Sequence, residues 1–240
     1  MADMVFFWTI GDIEVEVIRK RKKNITLYVL PPDGKVRVTA PVGASQAGIR
    51  EFLLKKRLWL QKTVLKFKEQ SLLPKLRYAS GESHPLWGED YRLTVVPAKG
   101  KAHVDVSGRD MLLFAEADAG VERKTAVMAE FYRTQVKARA PHLLDTWGQR
   151  MGVSISGWQV KNTRSRWGSC HVPRKKINLS LRLAMKPPSC LEYTIVHELC
   201  HLLVPDHSPA FYELLGQFLP DWQERRARCR LSEFRRPLLS

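Results

Sequence analysis

The sequence has few cysteines and no cysteine framework. Its four, Cys170, Cys190, Cys200 and Cys229, include no Cys-x-x-Cys pair. That spacing excludes a disulfide scaffold and a zinc ribbon, and it points to a reducing compartment, the cytoplasm. Long apolar runs are also missing. The stretch Met4–Ile10 is apolar, but Asp3 precedes it, no basic segment leads into it, and seven residues cannot cross a bilayer. It reads as a first strand, with neither a targeting signal nor a membrane span expected. No internal repeat or low-complexity tract is visible, which argues against a solenoid or an array. Acid is scarce: 24 Asp and Glu stand against 40 Lys and Arg, for a net charge of +16 in 240 residues. Such a surface attracts polyanions, so nucleic acid is a candidate partner; a merely soluble basic surface gives the same number.

A hydrophobic content of 44% is enough for a real core. The first 115 residues read mostly as β-structure. Ile13–Ile18, Ile25–Leu30 and Lys35–Thr39 alternate, with Pro31-Pro-Asp-Gly34 as a turn. The run Arg19-Lys-Arg-Lys-Lys23 is self-repelling and reads as a solvated loop or strand end, or as a contact for phosphate. Ser45 is placed to cap a long helix reaching about Gln70, with Ile49, Phe52, Trp59, Val64 and Phe67 on its buried face. Leu53, Leu54 and Leu60 widen that stripe, so this helix is expected to pack on more than one neighbour. Strands follow at Tyr91–Val96, Val104–Ser107 and Met111–Phe114, with turns at Trp87–Asp90 and Ser107–Asp110.

From Glu122 to Met151 the pattern is helical; Pro141 is expected to end or kink it, and Gly152 to stop it. Strands are expected near Trp158–Val160 and Lys175–Leu183. The arginine-rich segment Asp221–Phe234 reads as a last helix. Its Arg225, Arg226, Arg228 and Arg230 are suited either to an anionic substrate or to balancing a helix C-terminus. The fold class is therefore α+β. A mostly β region, 1–115, with one long helix is followed by an α+β region, 116–240.

The chemistry concentrates in residues 189–212. They contain His197-Glu198-x-x-His201, with His207 six residues further on. On a helix, two histidines four apart share a face and can grip one Zn²⁺. Three protein ligands leave a fourth position for water, the catalytic form of a zinc site. Glu198 beside it is suited to take a proton from that water, the arrangement of metal-assisted peptide hydrolysis. Ser189 and Glu192 have capping-box spacing, so the helix is expected to start at Cys190. Pro205 is expected to end it near Leu203, and Ser208-Pro209 to open the next helix. Cys200 reads as a small buried hydrophobe, and Asp206 as either an orienting partner for a ligand histidine or an exposed turn residue.

Four blocks together resemble a known family: Thr163-Arg-Ser-Arg-Trp-Gly-Ser-Cys170, Ile177–Leu183, Tyr193–His201 and His207-Ser-Pro-Ala-Phe211. They look like the YgjP-like metallopeptidases, relatives of the SprT-like and WLM groups of zincin-type peptidases. The resemblance is specific from about Thr163 to Leu231 and continues upstream through the Trp59 helix and Gly88-x-x-Tyr91. It implies a zincin-like catalytic part, with His197, His201 and His207 as zinc ligands and Glu198 as general base. It leaves the Arg166–Cys170 block unassigned. Its edge can receive a peptide as an added strand, or Trp167 and Cys170 can fill core space while Gly168 permits a close approach. Arg164, Arg166, Trp167 and Tyr193 are candidate substrate or transition-state contacts. The expected function is a zinc peptidase acting on protein or peptide. The rival is a nucleic-acid-associated binding module with a structural zinc, and a protease recruited to nucleic acid joins the two.

Overall fold

The computed structural model describes residues 5–30, 33–72, 76–163 and 166–230. It is of the α+β class and forms two compact units, Met1–Lys75 and Leu76–Ser240. None of its described helices is long and apolar enough to cross a membrane.

In the first unit, β1 (Val5–Ile10), β2 (Ile13–Lys20), β3 (Thr26–Leu30) and β4 (Lys35–Pro41) form a sheet in the order β1-β2-β4-β3. Two antiparallel hairpins meet through the parallel pair β2–β4. Val15 and Val17 of β2 and Val36 and Val38 of β4 point inward, the period-2 burial of a half-covered sheet. Within the Arg19–Lys23 run, Arg19 donates to the carbonyls of Val42 and Ala44, and Lys22 to the hydroxyls of Thr26 and Thr39. At least part of the run therefore ties strand ends together.

The expected helix from Ser45 to Gln70 is two helices, α1 (Gln46–Lys55) and α2 (Arg57–Leu72). Ser45 does cap the first, accepting from the N–H of Gly48. The break falls at Lys56, inside Lys55-Lys56-Arg57, where the negative end of the α1 dipole favours positive charge. It shifts the buried stripe. Ile49, Leu53, Leu60 and Val64 meet the sheet in one cluster, while Trp59 is 50% exposed and Leu54, Leu58 and Leu65 are exposed too. Trp59 thus stands outside the buried face assigned to it, and of the residues that widen the stripe Leu53 and Leu60 join the same cluster while Leu54 is exposed.

The second unit opens with β5 (Ser83–Leu86), β6 (Glu89–Pro97), β7 (His103–Ser107) and β8 (Asp110–Ala115), in the order β5-β6-β8-β7. Again two hairpins join through a parallel pair, β6–β8, so both sheets share one connectivity that no sequence repeat announces. The helix α3 (Val121–Met151) follows and runs on through Pro141. A mid-helix proline costs about 3 kcal/mol. Val136 and Ala140 before it and Leu144 and Trp147 after it all enter one core, and at roughly 1.5–3 kcal/mol per large buried side chain that burial prevails. Gly152, at φ +63°, ends the helix as expected.

A third sheet, β9 (Gly157–Lys161), β10 (Gly168–His171) and β11 (Lys176–Ser180), is ordered β10-β11-β9, with β10 at an edge. Against it lies α4 (Pro188–Cys200), on which α5 (Pro209–Phe218) and α6 (Trp222–Arg230) pack. Leu93, Met111 and Leu113 of the second sheet share a core with Met128 and Tyr132 of α3 and Ile195 of α4. The compact units accordingly part at Lys75–Leu76, earlier than the boundary expected near residue 115. The last four residues of the expected helix 221–234 lie outside the described residues.

Candidate metal centre

The helix α4 starts at Pro188, two residues before the expected Cys190. A proline at the first helical position needs no N–H partner and brings its φ already set. The capping box does not form. The Ser189 hydroxyl is buried without a partner among the described residues, and Glu192 accepts instead from Trp147 Nε1 of α3 at 3.1 Å and from Arg225 Nη1 of α6 at 2.5 Å. Glu192 is a tie between three helices.

At its other end α4 stops at Cys200, before the expected Leu203, and the N–H groups of Leu203 and Val204 close back on the Cys200 carbonyl. This tight exit turns the chain within a few residues and returns His207 to the helix. Its Nε2 lies 3.0 Å from His197 Nε2, and its ring centre 4.6 Å from that of His201. Ser208 precedes α5 as expected, but its side chain makes no capping bond. Phe211, fully buried, underlies the cluster, its ring centre 4.7–4.9 Å from each of the three imidazoles.

These residues fit a divalent cation. One nitrogen from each histidine lies within 4.8 Å of the others. A tetrahedral ion about 2.0–2.1 Å from each nitrogen would hold them roughly 3.3 Å apart, close to the 3.0 Å between His197 and His207. Ligation needs neutral imidazoles. Burial, followed by the charges of His201, His207 and Arg226, pushes His197 down to about 3. His201 is lowered as well, first by burial and then by His207.

Glu198, next along the helix, is 5% exposed. Burial raises its carboxyl to about 8, against the opposing pull of Arg166 and of a hydrogen bond from the Cys170 backbone. The strand β10 passes directly over it. A Cβ on Gly168 would sit 2.6 Å from Glu198 Oε1 and 2.8 Å from Thr194 Cγ2, so only glycine fits. This gives the Arg166–Cys170 block a physical role: it brings a sheet edge onto the glutamate.

Helix, strand edge and α6 enclose a cleft of about 570 Å³ that contains the three histidines and Glu198. Arg166, Trp167 and Tyr193 all line it, as their candidacy required, and the Tyr193 ring lies 5.8 Å from that of His197. Arg164 lies outside the described residues. Asp206 is exposed and bonds to none of the histidines. Cys200 is fully buried, its thiol pushed up to about 12 by burial, in keeping with a core residue. Arg226 of α6, one of the four arginines read as suited either to an anionic substrate or to a helix C-terminus, also lines the cleft, and so does Cys229, which was given no role there from the sequence. The arginine-rich segment was visible there, but which arginine faces the histidines depends on the rotation of α6 about its axis.

A family model described as YgjP-like, metallopeptidase domain, matches residues 23–231. Among solved structures, the crystal structure of the metallopeptidase zymogen of Pyrococcus abyssi abylysin aligns with 37% of this chain and 89% of its own. The identity is 19% and the TM-score 0.33. No curated protein gives a significant match.

Proposed function

The chain belongs to the YgjP-like metallopeptidase family, and from that premise we propose that it is a zinc-dependent peptidase with Glu198 as its general base. One observation carries the reading: three imidazoles converge within one cleft on a single point beside a buried carboxylate. His197, His201 and His207 hold the ion in this reading. When bound, zinc lowers the pKa of a water and polarises the scissile carbonyl. Glu198 accepts the proton from the attacking water on a carboxylate oxygen and returns it to the departing amine nitrogen. Its burial keeps it proton-seeking, and a cation among the histidines brings its pKa back toward neutrality. Tyr193 and Arg166 are suited to donate to the developing oxyanion. The free edge of β10 is suited to align an extended peptide by main-chain hydrogen bonds.

The test is Glu198→Gln. Both proteins should retain about one zinc per chain, and only the wild type should hydrolyse peptides. Equal turnover would defeat the assignment of Glu198. A purely structural zinc has no use for a base at its side, which weighs against the binding-module reading. Recruitment of the peptidase to nucleic acid keeps one observation in its favour besides the net charge of +16: a groove where Arg133 and Lys137 flank Trp158. Affinity for DNA that falls steeply with salt would support it, and a flat response would remove it.

A further inference from the structure

The described arginine side chains of α6 divide into two kinds. Arg225 is committed to Glu192 and Asp221, and Arg228 to Glu224. Arg226 has no carboxylate partner among the described residues. Its guanidinium carbon instead lies 5.9 Å from the ring centres of both Tyr212 and Trp222, which stack on each other at 5.1 Å. Tyr212 in turn is 6.2 Å from the His207 ring. Aromatic faces hold a guanidinium by its plane and leave its N–H fork unspent. Arg226 lines the same cleft as the three histidines. Arg166 brings a second positive charge from the β10 side, beside Glu198. Glu198 is the only acid in the lining among the described residues. A substrate group entering on the His207 side therefore meets a half-buried cation with no carboxylate to satisfy it among the described residues.

We infer that Arg226 is a specificity-determining residue that binds a carboxylate of the substrate, so that the cleft selects peptides with an acidic group close to the scissile bond. The inference rests on the peptidase reading and narrows its substrate. The carboxylate has two possible sources, an Asp or Glu side chain or the chain terminus. A bidentate arginine–carboxylate pair suits either, and the two are separated by experiment.

The probe is a blocked, uncharged hexapeptide with an amidated end. It is compared with versions bearing one Asp or one Asn at each position in turn, and with a version whose C-terminal carboxylate is free. Binding to the zinc-loaded Glu198→Gln protein is measured by calorimetry, so that no turnover is needed. One carboxylate version should bind about ten-fold or more tighter than its Asn or amide counterpart. That advantage should disappear when Arg226→Gln is added and persist when Arg228→Gln is added. Retained zinc content and circular dichroism check that the variants are folded. An advantage confined to Asp peptides assigns a side-chain site; one confined to the free terminus assigns a chain-end site. Equal affinities across the peptides, or a preference that survives Arg226→Gln, overturn the inference. Hydrolysis by the wild-type protein is scored separately. Turnover without a carboxylate preference removes only this inference, and a preference that depends on Arg226 without turnover removes only the peptidase reading.

Discussion

Gly168→Ala tests the packing on which the candidate centre depends. The added methyl would lie 2.6 Å from Glu198 Oε1, 2.8 Å from Glu198 Cγ and 2.8 Å from Thr194 Cγ2. No carbon tolerates three such contacts, so β10 must lift from α4 or Glu198 must swing aside. Lifting β10 weakens the Cys170 backbone bond to Glu198 and strains the pairing of Gly168 with Leu179. Overpacking of this kind costs about 1–3 kcal/mol, and in a protein of this size each kcal/mol shifts the melting temperature by roughly 2–4 °C. The effect on turnover should be larger, because displacing a catalytic group by about 1 Å can cost 10²-fold. Melting curves and peptide hydrolysis of the zinc-loaded protein read the two effects. Gly157→Ala, in the same sheet with nothing within 4 Å of the new methyl, is the control and should leave both unchanged. Thr194→Ser keeps the hydroxyl that bonds the Cys190 carbonyl and removes the Cγ2 clash. Added to Gly168→Ala, it should recover part of the stability but not the activity, since the glutamate clash remains. Wild-type melting and turnover in Gly168→Ala would refute the close approach of β10 to Glu198.

Four further perturbations follow from the same geometry. His207→Ala leaves two imidazoles on α4 and should lose zinc on dialysis that the wild type retains, as read by metal analysis. In metal-free protein, Glu198 has a folded-state pKa of about 8 against 4.5 for the free group, so its burial opposes folding above pH 4.5. Glu198→Gln should therefore stabilise the metal-free form by about 3 kcal/mol at pH 7, with the gain vanishing below pH 4.5. His197 has the opposite pH profile: its pKa falls to about 3 from 6.5, so the unfolded chain takes up the proton first and stability drops as pH falls from 6.5 toward 3. Urea titrations of metal-free His197→Gln across that window should show a shallower slope, and an unchanged slope would refute the assignment. Gly88→Ala adds a methyl 2.9 Å from Pro187 Cγ at a φ of +88°, and should lower the melting temperature by loosening the turn that abuts the start of α4.

The convergence of the three histidines was legible in the sequence because their geometry is local. Two of them share one turn of helix, and the third returns through a loop that Pro205 and Ser208-Pro209 punctuate. What surrounds them was legible only in part: Arg166, Trp167 and Tyr193 could be named as candidates, but their packing comes from elements distant in the chain. A close approach at Gly168 was one of two readings, and what it approaches is visible only once β10 lies on α4. Glu192 fits the spacing of a cap, yet Trp147 and Arg225 claim it, since a proline start needs no cap. Trp59 matched a helical stripe that holds only if the helix runs unbroken past Lys56. The parallel pairings β2–β4 and β6–β8 leave no trace in strand patterns, which report burial and not the neighbour.

The arginine pair on α6 shows how a structural tie can set a functional direction. Successive residues on a helix point about 100° apart, so fixing one fixes the next. Arg225 is anchored to Glu192 on the side of α4 turned toward α3, and to Asp221 one turn back on its own helix. With that anchor made, the rotation of α6 is set, and Arg226 is carried round to the cleft and against the Tyr212–Trp222 stack. Glu192 therefore acts at a distance from the chemistry. Without its charge Arg225 keeps only the local Asp221 pair, α6 is held on α4 by the core packing of Cys229 and Trp222, and the direction of Arg226 is less firmly fixed. A carboxylate preference in the cleft then depends on Glu192 as well as on Arg226, although Glu192 is not among the residues that line it.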